Sequence, residues 1–304
     1  MFAGILKSEG YKMNLALAII HYNENQYLDK LFSTISKSSL LPNKIVFIDN
    51  NSDINPINII KKYDNLNIEY IRSDKNLLFT RGMNIAIRLA MKSNADVIGI
   101  MNSDMYVQNN TFEEIIKHIN GPNIVAVTPN IRNIINTKDI FCPIKYTGIF
   151  KKSSYPQSND LICETDFAIG ASLFVKKDIL EKTGLFYEPY LHGTDDFEMC
   201  DKLRKYGKIL YIKTTNIYHR DSNERKDAPS KKNEFFEKLH NKNWYIYCLR
   251  NKPTAIIYIV LSMFSNLYKW VINKNIIAKW RLFGTINGIK ETVYHLTNTN
   301  KYLD

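Results

Sequence analysis

The sequence has few cysteines, and no two of them are close together. Its four cysteines (Cys142, Cys163, Cys200 and Cys248) include no Cys-x-x-Cys pair. This spacing argues against a structural zinc site and against a disulfide framework, and it is typical of a protein kept in a reducing compartment.

Long apolar runs are also missing. Residues 1–13 contain Lys7, Glu9 and Lys12 and no apolar core, which argues against a secretory signal peptide. The segment 254–268 carries no charge, but its 15 residues are fewer than the roughly 20 that a transmembrane helix needs. With 304 residues, the chain is long enough for one large domain, alone or with an appendage.

Positive charge is concentrated near the C-terminus. Residues 223–304 hold 14 lysines and arginines against 6 acids, so this tail carries +8 of the net charge of +11. A basic tail indicates a nucleic acid or an anionic membrane as a partner. The uncharged segment favours a helix lying in a membrane interface, and an ordinary helix packed on the domain is the alternative. Its basic and aromatic flanks are Arg250, Lys252, Lys269, Trp270, Lys274, Lys279, Trp280 and Arg281.

Short apolar segments alternate with helical patterns over the first 120 residues. This alternation predicts an α/β fold with a mostly parallel sheet and right-handed crossovers. The predicted strands are 15–20, 45–48, 68–71, 96–101, 170–175, 209–212 and 216–219. Helices are expected from Asn25 as a capping residue, over 80–91, from a capping box at Thr111, and over 177–183 and 195–206; loops or a hairpin are expected in 130–161.

Polar residues follow three of the first four strands, at Asn23, Asp49 and Asp104. If the strands are parallel, these residues gather at one edge of the sheet, where open α/β sheets bind ligands. The carboxylate of Asp104, with Asn102 two residues earlier, suits a hard divalent cation that bridges to a diphosphate. Asn-x-Asp alone is as often a plain turn, but three such loops at one edge favour a site.

A second acidic group, Asp195 and Asp196, stands at the start of a predicted helix. A carboxylate there is favoured by the helix dipole, and helix capping alone would explain the pair.

Four sequence blocks occur in an order that resembles a known family. They are IIHYN (19–23), VFIDNNS (46–52), NLLFTRGMN (76–84) with MNSD (101–104), and GAS (170–172) with DDFEMC (195–200) and His219. Together they resemble the inverting family-two glycosyltransferases of the GT-A fold, particularly the rhamnosyltransferase-like branch. The resemblance covers about 15–221, roughly two thirds of the chain.

The resemblance implies a Rossmann-like nucleotide-binding sheet with helices on both faces. The charge and apolar pattern of the tail adds the expectation of a C-terminal helical segment that associates with a membrane. The expected domains are an N-terminal extension (1–13), a GT-A domain (14–222) and a basic, aromatic helical tail (223–304). Within the GT-A domain, 14–110 forms the half that binds the nucleotide sugar and 111–222 the half that binds the acceptor.

Site residues follow from the same resemblance. Asp49 is expected to contact the base, Asp104 to bind the metal, and Asp196, preceded by Asp195, to act as the catalytic base. His219 is expected to complete the metal or diphosphate site, although a histidine with an ordinary structural role is the alternative. The remaining nucleotide-binding residues are Tyr22, Asn23, Glu24, Asn76, Arg81, Asn84, Asn102 and Ser103.

Four residues depart from the family pattern. Asn102 stands where many members have Asp, and Leu78 replaces a usual Gly. Asp195 replaces the more frequent Glu, and Glu198 the usual second Asp of the acceptor helix. The resemblance therefore still implies the catalytic residues, but it does not specify the acceptor.

The resemblance implies a hexosyl- or deoxyhexosyltransferase that uses Mg²⁺ or Mn²⁺, a nucleotide-diphosphate sugar and a glycan or lipid-linked acceptor. We expect a role in cell-envelope polysaccharide biosynthesis, on the cytoplasmic face of the membrane. One alternative is a non-catalytic scaffold that binds nucleotide sugars in a membrane assembly. Another is nucleic-acid binding through the basic tail, although the uncharged segment 254–268 suits lipid better than phosphate.

Overall fold

A computed structural model describes residues 13–140, 143–147, 152–154, 160–220, 234–251 and 256–297. Cys142, residues 1–12 of the expected extension and parts of the tail, including Lys252, lie outside these ranges. The described strands are β1 (Leu15–His21), β2 (Lys44–Asp49), β3 (Ile68–Arg72), β4 (Val97–Asn102), β5 (Met105–Val107), β6 (Ile124–Asn133), β7 (Lys145–Thr147), β8 (Lys152–Ser154), β9 (Ile162–Thr165), β10 (Ser172–Lys176) and β11 (Lys208–His219).

One half of the main sheet is parallel, in the order β3-β2-β1-β4. β1 pairs in parallel with β2 and β4, and every residue of β1 is buried because helices cover both faces of the sheet. The register aligns His21 with Asp49 and Ile20 with Asn102. The polar residues that follow these strands therefore meet at one edge, as the sequence predicted.

The other half of the sheet is mixed. β10 is antiparallel to both β4 and β6, whereas β6 and β11 are parallel. The two predicted strands 209–212 and 216–219 are one strand, β11, with a register shift between Ile212 and Asn216. The shift lets β11 pair with β9 at its start and with β5 at its end. Three strands were not predicted: β5 and β9, which have only three and four residues, and β6, whose apolar run is soon interrupted by Pro129.

The described helices are α1 (Asn25–Ser36), α2 (Ile57–Ile60), α3 (Leu78–Met91), α4 (Thr111–Ile119), α5 (Lys177–Thr183), α6 (Asp195–Leu203), α7 (Glu234–Asn251), α8 (Ile256–Val271) and α9 (Ile276–Thr297). Apolar side chains of α1 and α4 pack on one face of the sheet, and those of α3, α5 and α6 pack on the other. This arrangement of helices on both faces is the predicted α/β architecture.

Helices α1 and α4 begin at Asn25 and Thr111, but the two predicted side-chain caps and the predicted end of α6 are wrong. Neither Asn25 nor Thr111 caps a helix with its side chain. The Asn25 Oδ1 atom lies 2.7 Å from His21 Nε2, and the Thr111 hydroxyl lies 2.9 Å from that of Thr215, so tertiary partners take these groups. Helix α6 ends at Leu203 rather than Tyr206, and Arg204 pairs with Asp201 at 2.8 Å.

The helical tail packs partly on the domain. Trp244 of α7 contacts Phe197 of α6, and Asn243 bonds to the loop that precedes α6. Helix α8, in contrast, exposes large apolar side chains along most of its length. Among the helices that the structure describes, none combines the length and the apolar character needed to cross a bilayer.

Candidate active site

Asp49 lies at the carboxyl end of β2 and is completely buried. Its Oδ2 accepts a hydrogen bond from Arg72 Nη1 at 2.6 Å, and its Oδ1 accepts one from the backbone N–H of Ser52 at 2.9 Å. Arg72 is the register partner of Asp49 on β3, and its Nη2 also donates to Ser52 O at 2.6 Å. The predicted base-binding acid is thus one half of a charge-paired, preorganised unit.

The loop after β1 is fixed by hydrogen bonds to two neighbouring strands. Asn23 has a left-handed backbone (φ 55°), and its N–H donates to the Ser52 hydroxyl at 2.9 Å. Buried His21 bonds through Nδ1 to the hydroxyl of Ser103 at 2.8 Å. Burial lowers the pKa of His21, so the neutral imidazole is favoured. Tyr22 is exposed at this edge, and Glu24 lies 3.9 Å from Arg220.

The 76–78 turn is held by Asn50, which sequence reasoning did not select as a site residue. Asn50 is buried, donates to Asn76 Oδ1 at 2.9 Å and accepts from the N–H of Leu77 at 2.8 Å. Leu78 adopts φ 59°, a left-handed conformation that costs a non-glycine residue roughly 1–2 kcal/mol. This conformation gives the physical reason why glycine suits this position in the family pattern.

Asn84 and Arg81 lie on the same helix but are placed differently. Asn84 is buried in α3, and its Nδ2 donates to Phe186 O at 2.8 Å and to Glu188 Oε1 at 3.2 Å. Its Oδ1 accepts from the N–H of Phe186, so its polar atoms tie α3 to the segment before α6 rather than facing the sheet edge. Direct nucleotide contact by Asn84 is therefore not supported. Arg81 is exposed at the first turn of α3.

Asp104 and His219 meet although they lie 115 positions apart in the sequence. Asp104 is almost fully buried after β4, and its Oδ1 lies 3.2 Å from His219 Nε2 at the end of β11. The antiparallel pairing of Met105 with His219 produces this approach. The two residues predicted to hold the metal are thus adjacent.

The fit of a divalent cation rests on the donors at this edge. The Oδ1 atom of Asn102 is buried and has no hydrogen-bond partner within the described ranges. No group of three or more His, Cys, Asp or Glu side chains is placed to hold a metal in the part of the chain that the structure describes. Mg²⁺ and Mn²⁺ favour oxygen ligands, and Mg²⁺ is commonly bound by one or two carboxylates together with substrate phosphates. The incomplete donor set fits such a shared site.

The acid pair Asp195 and Asp196 lies at the start of α6, close to the segment that precedes β10. Asp195 is buried, and its Oδ1 has no hydrogen-bond partner among the residues described. Asp196 Oδ1 accepts a hydrogen bond from the N–H of Gly170 at 2.8 Å. A Cβ atom at Gly170 would overlap that same oxygen, so the close approach requires glycine. The structure therefore explains the Gly170 of the fourth sequence block.

Burial perturbs both carboxyl groups of the pair. It raises the pKa of Asp195 to about 6. Burial also raises the pKa of Asp196, and the neighbouring charge of Asp195 raises it further. A carboxyl group whose pKa is raised above its usual range is better suited to proton transfer at physiological pH than an ordinary aspartate.

Glu198, which stands where the family pattern has a second Asp in the acceptor helix, is buried and has a structural role. It accepts a hydrogen bond from the hydroxyl of Tyr190 and lies 3.4 Å from Arg250 of α7. Arg250 in turn lies 3.9 Å from the ring centroid of Tyr187. Glu198 therefore joins α6 to the tail.

Comparison with known proteins identifies what this arrangement resembles. A sequence profile described as Glycosyl transferase family 2 matches residues 17–184. Hyaluronan synthases of Streptococcus pyogenes, including serotype M1, are 28% identical over 174 residues. The match covers 54% of this chain and 42% of the relatives, so the chain spans less than half of their length.

Solved structures with low sequence identity share the fold. GalNAc-T7 with UDP, GalNAc and Mn²⁺ superposes with a TM-score of 0.64 at 14% identity, over 96% of this chain and 58% of that one. S. aureus TarS 1-349 with UDP-GlcNAc gives 0.59 at 15%, over 86% and 74%. A mannosyltransferase from Pyrobaculum calidifontis with GDP-Man and Mn²⁺ gives 0.54 at 12%, over 96% and 81%. These likenesses confirm the predicted GT-A architecture.

Proposed function

The chain belongs to glycosyl transferase family 2, and we propose that it transfers a sugar from a nucleotide-diphosphate donor to a hydroxyl of a glycan or lipid-linked acceptor, with inversion. The observation that carries the proposal is that the two acidic groups lie at the same edge of the sheet. Asp104 follows β4, and Asp196 accepts a hydrogen bond from Gly170, just before the point where β10 pairs with the end of β4. We propose that Asp104, with His219, neutralises the leaving diphosphate and that the acid pair provides a base for the acceptor hydroxyl. The narrower resemblance to rhamnosyltransferase-like enzymes stays a prediction.

In the proposed reaction, the acceptor oxygen attacks the anomeric carbon while the bond from that carbon to the diphosphate oxygen breaks. Asp196 takes the proton of the attacking hydroxyl, and the hydrogen bond from Gly170 holds its carboxylate in place. One attack from the face opposite the leaving group inverts the anomeric configuration. The buried Asp195 raises the proton affinity of its neighbour, which improves Asp196 as a base.

Asp104, with His219 beside it, is proposed to hold Mg²⁺ or Mn²⁺ together with the donor's diphosphate oxygens. The cation supplies neutralisation of the charge that develops on the leaving group. Arg72 and Asp49 are proposed to contact the base, with Asn23, Glu24 and Tyr22 around the nucleoside. The solved relatives carry uridine and guanosine nucleotides, so both bases belong among the donors to test.

The proposal is tested by a thermal-shift screen followed by a transfer assay. We expect one nucleotide-sugar class among UDP-GlcNAc, UDP-glucose, UDP-galactose, GDP-mannose and dTDP-rhamnose to raise the melting temperature more with Mn²⁺ or Mg²⁺ than without it. That donor should then release its nucleoside diphosphate faster when a glycan acceptor extract is added. Stabilisation without release by any donor or extract would favour the non-catalytic scaffold instead.

We also propose that the enzyme works as a peripheral protein on the cytoplasmic face of a membrane. The apolar face of α8 supports this, since residues spaced by three and four positions are exposed along it. They are Ile257, Val260, Leu261, Phe264, Leu267, Tyr268 and Val271. Residues 256–297 hold five basic side chains and one acid, which complements an anionic lipid surface.

Replacement of Leu261 and Phe264 by Glu should detach the protein from lipid. These side chains are 62% and 66% exposed, so the changes should leave the fold intact. Because burying one such side chain contributes roughly 1.5–3 kcal/mol, the partition coefficient on phosphatidylglycerol vesicles should fall at least about tenfold. Flotation at one fixed salt concentration measures this.

The control for the flotation experiment is Leu41→Glu, which places a charge at an exposed leucine in the loop before β2. It should float like the wild type. The proposal would be contradicted if the wild type does not float. If light scattering then shows a wild-type dimer that the two α8 substitutions split, a second copy of the chain covers this face.

Nucleic-acid binding by the tail is tested by a gel shift at the same salt concentration.

A further inference from the structure

The loop that leads into the acid pair is bent through three left-handed residues. Leu191 (φ 62°), Gly193 (φ 81°) and Thr194 (φ 70°) directly precede Asp195. Left-handed backbone at a non-glycine residue costs of order 1–3 kcal/mol and persists only where the surroundings fix it. This bend sets the direction in which α6 begins. Contacts with residues outside the loop are therefore expected to stabilise it.

One side chain of the tail is placed to fix the bend. Asn243 of α7 is fully buried, and its Nδ2 lies 2.6 Å from the carbonyl oxygen of Tyr190. The same nitrogen lies 2.9 Å from the carbonyl oxygen of His192 and 3.1 Å from that of Gly193. The two hydrogens of this amide are thus shared among three carbonyl oxygens of the loop.

Other contacts keep α7 in register with the same segment. Lys242 donates to the carbonyl oxygen of Pro189 at 3.1 Å, and the Tyr247 hydroxyl donates to Asp201 at the far end of α6. Because neighbouring residues of α7 are anchored on both sides of Asn243, the position of its amide is determined by tertiary packing. Removal of the amide would take this donor away from all three carbonyl oxygens, and the contact with Tyr190 is buried.

We propose that Asn243 is a positioning residue, which fixes the 190–194 bend and thereby aims Asp195 and Asp196 at the acceptor. The helical tail is then a structural part of the catalytic centre as well as the part that carries the proposed membrane face. The catalytic meaning of this inference rests on the proposed function, whereas the effect on the loop does not.

The test compares Asn243→Ala with Asn241→Ala, the same substitution two residues earlier on α7. The Asn241 amide donates to Glu237 O within its own helix, so its loss should not reach the loop. With the donor found in the screen, Asn243→Ala should lower kcat about a hundredfold, because small displacements of catalytic groups have effects of that size. The KM for the donor should stay within twofold, since the donor-side strands are untouched. Asn241→Ala should leave both constants within twofold.

A pH profile separates positioning from general loss of structure. If the bend relaxes and water reaches the acid pair, the pKa values that burial raises should fall. The rising limb of the kcat profile should then move to lower pH in Asn243→Ala and stay in place in Asn241→Ala. An unchanged kcat, or an unchanged limb despite a lower kcat, would overturn the proposal.

Hydrogen–deuterium exchange tests the loop without any activity. Amides of 192–197 should exchange at least about tenfold faster in Asn243→Ala, while those of β1 and β4 keep the wild-type rates. If the alanine variant does not fold, Asn243→Ser is used instead. The serine hydroxyl is shorter and donates a single hydrogen, so an exchange rate between those of the wild type and the alanine variant is expected. Wild-type rates over 192–197 would overturn the proposal. A chain that transfers no sugar but shows the local change would contradict only the proposed function.

Discussion

Sugar transfer by the Asp196→Asn variant should be slower by about 10²- to 10⁴-fold, the range that general base catalysis contributes. The amide keeps the shape of the carboxylate, and its oxygen can still accept the hydrogen bond from Gly170. It cannot take up the proton of the attacking hydroxyl. Because Asp196 is not among the residues proposed to bind the donor or the metal, donor affinity in the presence of Mn²⁺ should stay within about twofold.

The pH dependence of the wild type gives a second measurement on the same group. A base works only when deprotonated, so transfer should rise with pH through the raised pKa values of the pair. The charge of Asp195 is one of the causes that raise the pKa of Asp196. In Asp195→Asn this charge is absent, and the rising limb should move to lower pH.

Asp178→Asn is the matched control for these acid variants. Asp178 is exposed on α5 and pairs with Lys182 at 3.1 Å, a surface contact that contributes little to stability. Its transfer rate and pH profile should match the wild type. Transfer by Asp196→Asn at more than half the wild-type rate would remove Asp196 from the mechanism.

The parallel half of the sheet could be predicted because its signals are local. Three of these strands, β1, β2 and β4, are short apolar runs whose ends are marked by the polar residues Asn23, Asp49 and Asp104. Once the strands are parallel, their carboxyl ends must share an edge, and the register then aligns Asp49 with Arg72. Arg72 could have been found by drawing that register, because parallel neighbours at strand ends face the same loop region.

The contacts that span long sequence distances could not be predicted. The polarity of Asn243 gives no indication that its amide supports a loop some 50 positions earlier, since the packing of α7 determines that contact. The contact of Asn84 with Phe186 could not be predicted for the same reason, because the two residues lie 102 positions apart. Thr111 and Asn25 matched capping patterns, yet tertiary hydrogen bonds used their side chains.

The Asp104→Asn variant should lose the effect of metal on nucleotide binding. Wild-type affinity for UDP or GDP, whichever the screen selects, should increase with Mn²⁺, because the cation links the carboxylate to the diphosphate. Asparagine has nearly the same shape but no charge, so this gain should disappear. The accompanying loss of transfer should be about a hundredfold or more, since neutralising a leaving group contributes several kcal/mol.

Titration calorimetry with and without Mn²⁺ measures the metal effect as a ratio of two dissociation constants, so any general weakening of the fold cancels. In Asp104→Asn the ratio should approach one, whereas Asp29→Asn, which removes a surface partner of Lys62, should keep the wild-type ratio. His219→Asn distinguishes the two roles considered for that residue. A ratio reduced toward one makes His219 part of the metal site, and an unchanged ratio makes it a structural neighbour of Asp104. An Asp104→Asn protein with the full wild-type ratio would place the metal elsewhere.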